Sequence, residues 1–533
     1  MIESLAYSVL LAPFAFLVAA GVGLAQPGIH PARAQRAGTF AGWVGAAVAA
    51  AAGLAVAVGG PLQTPTLGWD GLGLSVRLDA LSTVMLAMVA LLAIVIVRFA
   101  NQYLDGDGRH GTFLARLAAT IAAVEVLVLS GNLAVLVVAW VVTSLALHQL
   151  LLFYRDRRGA VVAARKKFVA ARCGDALLVA ATVLLWREFD TGDLATIFAE
   201  APAAMATAWG GGAVELAALC LAGAAILKSA QFPTHGWLVE VMETPTPVSA
   251  LLHAGILNAG PFLMMRMAFV MDGAEMANAA LIVVGGSTAV FASVVLLTQP
   301  SVKVALGYSS AAHMGFMLMV CGMGVYAAAL LHLVAHSFYK AHAFLSSGSV
   351  VDEARAAKVR LPERLGSPWR VAASLGLALA MYLPLAWLWS ADLGGDPMIA
   401  AIGAILVMGT TQLIAPSLDS AGARAAMRRT ALLAISVTTA FFALEAGAHH
   451  ILSDTVPHGS PRGLTHVVLV VGVLVAFGAV VLLQILEPAH GRSERRRRLA
   501  IHLRNGLYAN AVFDRLVGGW RQTTPTARLT PPR

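Results

Sequence analysis

Four ionisable side chains inside apolar sequence give this chain its chemistry. Lys228 closes the run LAGAAILK, three residues before the helical pattern breaks at Gln231-Phe232-Pro233. In a second run His332, His336 and Lys340 recur every fourth residue, which places them on one face of a helix. An ionisable group inside a membrane span is costly and is functional by default. An ammonium held in low dielectric can release its proton at working pH, and imidazole titrates there already, so three such groups on one face suit a proton relay. His253 and His313 also lie inside apolar runs and are further candidates, while His342 falls off the titratable face. Glu125 is a carboxylate in mid-run. Lys303 lies near a helix start, where snorkelling to the interface and membership of the relay are both open. Arg172 and Asp175 are three apart on one helix and either neutralise each other or pair with neighbours. His332 and His336 lack the HExxH pattern and a nearby carboxylate, so no metal is expected in this chain. Cys173, Cys220 and Cys321 are scattered without a CxxC and are read as packing residues. No dinucleotide, haem or iron–sulfur pattern occurs either, so no cofactor is expected.

The elements that must hold these groups follow from the break after Lys228. A polar connection carries Pro233, His235, Glu240 and Glu243, and the chain re-enters an apolar run through Pro245 and Pro247 to reach His253, Asn258, Pro261 and Arg266. Proline frees backbone carbonyls that lipid cannot satisfy, so such a break must be buried in protein or line a wet cavity. The composition agrees with a membrane protein: 59% hydrophobic and 12% charged residues over 533, with mean hydropathy +0.77. At ~20 residues per span the apolar runs suffice for about fifteen membrane helices. They fall near 5–25, 41–60, 80–100, 113–130, 132–153, 168–186, 213–231, 247–270, 277–298, 303–323, 325–348, 370–390, 397–415, 430–447 and 464–486. No basic segment precedes the first run, so no cleavable signal is expected.

The net charge of +9 invites a nucleic-acid reading only if its placement is ignored. Loops after odd-numbered runs carry Arg33, Arg36, Arg109, Arg116, then Arg155, Arg157, Arg158, Arg165, Lys166 and Lys167. Arg355, Lys358, Arg360, Arg364, Arg370, Arg424, Arg428 and Arg429 follow the same parity. Loops after even-numbered runs carry Glu188, Asp190, Asp193, Glu200, Asp272, Glu275, Asp392, Asp396 and Asp454. By the positive-inside rule the N-terminus lies outside and the C-terminus in the cytoplasm, with a lipid bilayer and no nucleic acid as surroundings. Residues 1–112 then form N-terminal spans, 113–270 and 277–415 two five-helix blocks, 416–486 the closing spans, and 487–533 a basic tail. Arg492 and Arg495 to Arg498 precede Leu499, Ile501, Leu503, Leu507, Val512 and Leu516, the pattern of an amphipathic helix at the interface or against a partner. From Thr523 the end rich in Pro, Thr and Arg reads as disordered.

Three stretches carry a family resemblance: KSAQFPTHGWLVEVMETPTPVSALLHAG from Lys228, TQPSVKVALGYSSAAHMGFM at 298–317, and LLHLVAHSFYKAHAFLSSGSV at 330–350. Together they resemble the signature of the proton-translocating antiporter-like subunits of respiratory complex I, a family that includes the Mrp-type sodium/proton antiporters. The resemblance implies an all-α integral membrane protein of about fourteen or fifteen spans. It also implies two inverted five-helix repeats, each with a broken helix. Lys228 then matches the central lysine of the first half-channel. His253, Lys303, His332, His336 and Lys340 match the connecting polar axis, and Arg172 and Asp175 match an RxGD motif.

Departures from the pattern are as informative. Where the family has W-E on its fifth helix, this chain has Trp140-Val141, so the carboxylate that pairs with the broken-helix lysine is lost. Glu125 and His148 are the nearest substitutes in sequence. The run ending MYLPLAWLWSADLGGD lacks the lysine of the second broken helix, and the lateral helix of the longest family members is not expected. With HAGILNAGPF, FANQYLDGDG and LRNGLYANAVFDRL, these departures are similar to one branch, the membrane subunits of Dab inorganic-carbon accumulation complexes. That likeness implies cation influx, of protons, coupled to CO2 hydration by a large cytoplasmic zinc-containing, carbonic-anhydrase-like partner. Zinc is then expected in the partner, and this chain has no catalytic centre of its own. The alternatives are a proton-pumping subunit of an NADH-quinone oxidoreductase-like complex and a subunit of an Mrp-type Na+/H+ antiporter.

Overall fold

The computed structural model describes residues 6–69, 71–348, 368–389, 397–419, 424–457, 463–486 and 494–517. Arg355, Lys358, Arg360, Arg364, Asp392, Asp396, Arg492 and the end from residue 518 lie outside them. Fourteen described helical segments, one of them the interrupted Thr246–Arg266, are long and apolar enough to cross a membrane. In chain order the first helices are α1 (Leu11–Ala25, entered through a 3-10 turn at Tyr7–Leu10), α2 (Ala32–Gly59), α3 (Ala80–Tyr103), α4 (His110–Leu129) and α5 (Leu133–Leu151). Then come α6 (Arg158–Phe189), the short α7 (Leu194–Met205) and α8 (Ala208–Lys228). The broken region holds α9 (Gly236–Glu240), α10 (Thr246–Ala254), α11 (Ala259–Arg266) and α12 (Ala268–Met271). Next are α13 (Glu275–Leu296), α14 (Val302–Gly322) and α15 (Tyr326–Leu345). The chain closes with α16 (Pro368–Trp389), α17 (Pro397–Asp419), α18 (Arg424–Leu452), α19 (Leu464–Leu486), α20 (Glu494–Arg504) and α21 (Ala509–Val517). All fifteen apolar runs are helical. The titratable face of α15 lowers its hydropathy, so it is not among the fourteen.

Two antiparallel pairs of short strands, β1 (Leu62–Gln63) with β4 (Arg77–Leu78) and β2 (Leu67–Trp69) with β3 (Leu72–Leu74), cap one end of the bundle. Polar residues there end or start helices. Asp79 caps α3 through a box with Ser82, Asn132 caps α5 through the N–H of Ala134, and Asp193 caps α7 through that of Thr196. Gln63 Nε2 donates to Asp193 Oδ1 at 2.5 Å, so the strand layer and α7 share one polar cluster.

Between helices the packing relies on small residues, as expected where lipid leaves apolar burial no driving force. A Cβ on Gly285 of α13 would stand 2.5 Å from the carbonyl of Gly315 on α14, and the reverse substitution meets the same distance. The two backbones therefore touch. Helices α16 to α18 pack on one another around Ala378, Val407, Ile414 and Ala434, and α19 packs chiefly on α13 and α17.

Three expectations need correction. Helix α6 begins at Arg158 rather than near residue 168, so Arg165, Lys166 and Lys167 are helical, and Lys166 and Lys167 are 1% and 4% exposed. Their basicity is buried structure as much as a topology signal. The second break implied by the resemblance does not occur within the described part of its run, where α16 continues through Pro384. Finally, the tail is not one helix: α20 and α21 are joined by a 3-10 turn at Gly506–Tyr508 and lie against the chain's own helices.

Candidate functional site

Helix α8 ends at Lys228, and the chain turns through Ser229 to Phe232 before α9. Hydrogen bonds within the turn and from neighbouring segments hold it. Gln231 Nε2 donates to the carbonyl of Ser229 at 2.8 Å, Ser229 Oγ to the carbonyl of Leu257 at 3.1 Å, and the N–H of Phe232 to Thr288 Oγ1 at 3.1 Å. A second interruption, unread from sequence, separates α10 from α11 at Gly255 and a 3-10 turn over Ile256–Asn258. Asn258 Nδ2 donates to the carbonyl of Ala254 at 2.8 Å and to Ser337 Oγ on α15 at 2.7 Å, so the opened backbone faces the titratable helix.

Lys228 lies 7% exposed against α5. Its Nζ donates to the carbonyl of Trp140 at 3.2 Å and sits 4.1 Å from the centre of the Trp140 ring. The ring face attracts an ammonium but accepts no proton. Asp175 and Arg172 of α6, which pair with each other at 2.7 Å, act on Lys228, and the buried Lys167 of the same helix interacts with it electrostatically as well. One turn along α5 from Trp140, Lys167 Nζ donates to the carbonyl and hydroxyl of Ser144 at 2.6 and 2.8 Å. The acidic neighbour of Lys228 is therefore Asp175. Glu125 is seated elsewhere: a Cβ at Gly45 of α2 would stand 3.3 Å from its Oε1, and neither carboxylate oxygen has a hydrogen-bond partner among the described residues. His148 packs on Phe168, with ring centres 5.1 Å apart.

The second cluster lies between α10, α14 and α15. His253 Nδ1 is 2.9 Å from Ser310 Oγ, and its ring stacks on Phe344 at 4.2 Å. Lys340 is fully buried, donates to the carbonyl of Leu306 at 3.3 Å, and acts electrostatically on His253, His313 and His336. His313 Nδ1 lies 2.9 Å from His332 Nε2, and the rings of His313 and His336 are 5.1 Å apart. Two neutral imidazoles at that distance share one proton between a donor and an acceptor nitrogen, the arrangement a hop requires. His342 is exposed, and Lys303 is half-buried in the first turn of α14. His253, Ser310, Lys340, His336, His313 and His332 thus form a line of polar groups through the bundle; the Asn258–Ser337 bond joins it to the α10–α11 interruption, which the Ser229–Leu257 bond ties to the turn after Lys228.

The remaining broken-helix residues hold the connection rather than the line. His235 is 1% exposed within an aromatic cage of Phe232, Phe291 and Tyr308, and burial pushes it down to about 4. Pro233 is exposed at the turn, Pro245 precedes α10 and Pro247 occupies its first turn, where a missing N–H costs nothing. Glu243 accepts the N–H of Ala160 at 3.2 Å. Glu240 accepts from Lys166 at 2.5 Å, and Asn510 and Asp514 of α21 close on the same pair. The basic-to-acidic knot of Lys166, Glu240 and Asp514 was invisible in sequence, because Glu240 lies 74 positions from Lys166 and Asp514 lies in the tail.

A bundle of membrane-length helices, a chain opened beside a buried lysine, and a line of histidines leading from it define a membrane transport protein of the ion-translocating, antiporter-like class. Comparison with known proteins is specific. Residues 130–385 match the family described as NADH:quinone oxidoreductase/Mrp antiporter, TM. The "Probable inorganic carbon transporter subunit DabB2" of Halothiobacillus neapolitanus is 38% identical over 457 residues, 84% of this chain and 80% of that one. The corresponding DabB of Hydrogenovibrio crunogenus is 40% identical over 334 residues, 61% of this chain and 63% of that one. A chain in the solved structure of the Mrp complex from Dietzia sp. DQ12-45-1b shares the fold, with TM-score 0.61 at 24% identity over 97% of this chain and 61% of that chain. The chain belongs with the DabB-type transporter subunits, and residues 130–385 carry the membrane region of the NADH:quinone oxidoreductase/Mrp antiporter family.

Proposed function

We propose that this chain conducts protons as the membrane subunit of a two-component inorganic-carbon accumulation complex. The influx drives one-way hydration of CO2 by a large, zinc-containing, carbonic-anhydrase-like partner on the cytoplasmic side. The chain itself supplies no catalytic centre. It lies in the cell inner membrane with its N-terminus outside and its C-terminus in the cytoplasm. Lys228, His253, Lys340, His336, His313 and His332 carry the proton. Arg172 and Asp175 set the field at Lys228, Lys303 at the start of α14 belongs to the same polar axis, and Glu125, buried against α2, is a separate carboxyl standing in for the one lost at position 141.

The observation that carries this reading is the environment of Lys228. A pump needs a free carboxylate beside the gating lysine to alternate with it, whereas here position 141 is valine, the ammonium rests on the Trp140 ring and carbonyl, and the neighbouring acid, Asp175, is already paired with Arg172. A path with fewer titratable gates suits downhill flow. The driving force there is about 2.3 kcal/mol per charge per 100 mV of membrane potential. The names of the DabB relatives support the same substrate class.

The test is growth in air of a strain lacking carbonic anhydrase. Expressed with its partner, the chain restores growth, and a protonophore abolishes it. Rescue that persists at full strength under the protonophore, or purification of the chain with flavin and iron–sulfur subunits, would move the assignment to the redox members of the family.

A further inference from the structure

One buried carboxyl lies outside the residues assigned so far. Glu445 sits within TTAFFALEAGAHH of α18 and is 1% exposed. One of its oxygens accepts the backbone N–H of Ala328, while Oε2 has no hydrogen-bond partner. Ala328 belongs to the first turn of α15, where backbone N–H groups have no acceptor within the helix. His332 follows four residues later on the same face. The carboxyl therefore sits at the start of α15, one helical turn before His332 along that helix. None of the ion pairs among the described residues involves it.

We propose that Glu445 is the terminal proton-binding group of the path, at the end of the bundle where α15 begins. This rests on the relay reading above and supplies the titratable end group that the missing lysine of the second half leaves open. The carboxylate binds a proton and becomes the acid, then passes it to a nitrogen of the His332 imidazole and returns to carboxylate. The imidazolium so formed releases its other N–H proton to His313, restoring neutral His332. A simpler role competes, in which Glu445 only caps α15: a carboxylate at a helix N-terminus satisfies an orphan N–H and suits the helix dipole. The two roles differ in whether the group must change protonation.

Glu445→Gln separates them, because the amide oxygen still accepts the Ala328 N–H while the side chain no longer titrates. In the full chain with its partner, the variant is expected to reach the membrane at parental amount and to lose growth in air. A second measurement does not depend on transport. Membranes containing the complete complex are treated at neutral pH with dicyclohexylcarbodiimide, which adds to protonated carboxyls in apolar surroundings, and the peptides are mapped. Glu445 is expected to carry the adduct. Parental growth of Glu445→Gln beside a Lys228→Ala strain that fails to grow would overturn the inference and leave the relay standing. An unmodified Glu445 would overturn it as well, including where the glutamine variant fails to accumulate. Growth of Lys228→Ala itself would remove the relay reading on which both rest.

Discussion

Lys228 is held by two features that tolerate a positive charge and one that tests its chemistry. The Trp140 ring and carbonyl would receive a guanidinium as readily as an ammonium. Arginine, however, stays protonated at any reachable pH, so it keeps the field and cannot pass a proton on. Lys228→Arg should therefore assemble at parental level and fail to support growth in air, while parental growth would reduce Lys228 to an electrostatic post. The lysine and the His332–His336–Lys340 face were legible from sequence, because charge inside an apolar run is rare enough to stand out. The tryptophan was not. An aromatic residue in an apolar helix reads as packing until a lysine 88 positions away is seen above its ring.

At the level of elements, the broken region is tied down at its far end. Arg266, the last residue of α11, donates to Asp79 Oδ2 at 2.5 Å, and Arg77 reaches the same oxygen at 2.8 Å. Burial works against the Asp79 carboxylate, but Arg266 and Arg77 outweigh it and hold the group down at about 2. Removing the acid leaves a buried guanidinium without its counter-charge, which costs about 3–5 kcal/mol. Asp79→Asn should accordingly lower the unfolding temperature of the detergent-solubilised protein markedly, and an unchanged temperature would show that the tie does not hold the two helices together. Element existence was readable here, since each span announces itself by length and hydropathy. Element ends were less so. The basic cluster before residue 168 looks like a solvated loop because lysines usually are solvated. Lys166 and Lys167 are buried only because Glu240, Asp514 and Ser144 arrive from other parts of the chain. Gly255 opens a run that the sequence pattern reads as continuous from Pro247 to Arg266, because local pattern offers no measure of which residue yields.

For the whole molecule, the proposed orientation puts α7 outside and the α20–α21 tail in the cytoplasm. In a background free of Cys173, Cys220 and Cys321, a cysteine at the exposed Glu200 should react with a membrane-impermeant maleimide in intact cells. A cysteine at Arg498, whose side chain is 74% exposed, should react only after permeabilisation; the opposite pattern reverses the orientation. Motion during transport is also constrained at this scale. Where Gly285 and Gly315 meet there is no room for a methyl group, and a Cβ at Gly315 would stand 3.1 Å from Gln231 Oε1 in the turn after Lys228. Two helices in backbone contact slide or tilt past each other only by losing that contact, so α13 and α14 behave as a single stiff plank. The turn carrying Gln231 is braced on it, and any swing of Lys228 has to be taken up on the opposite side, toward α5 and α6.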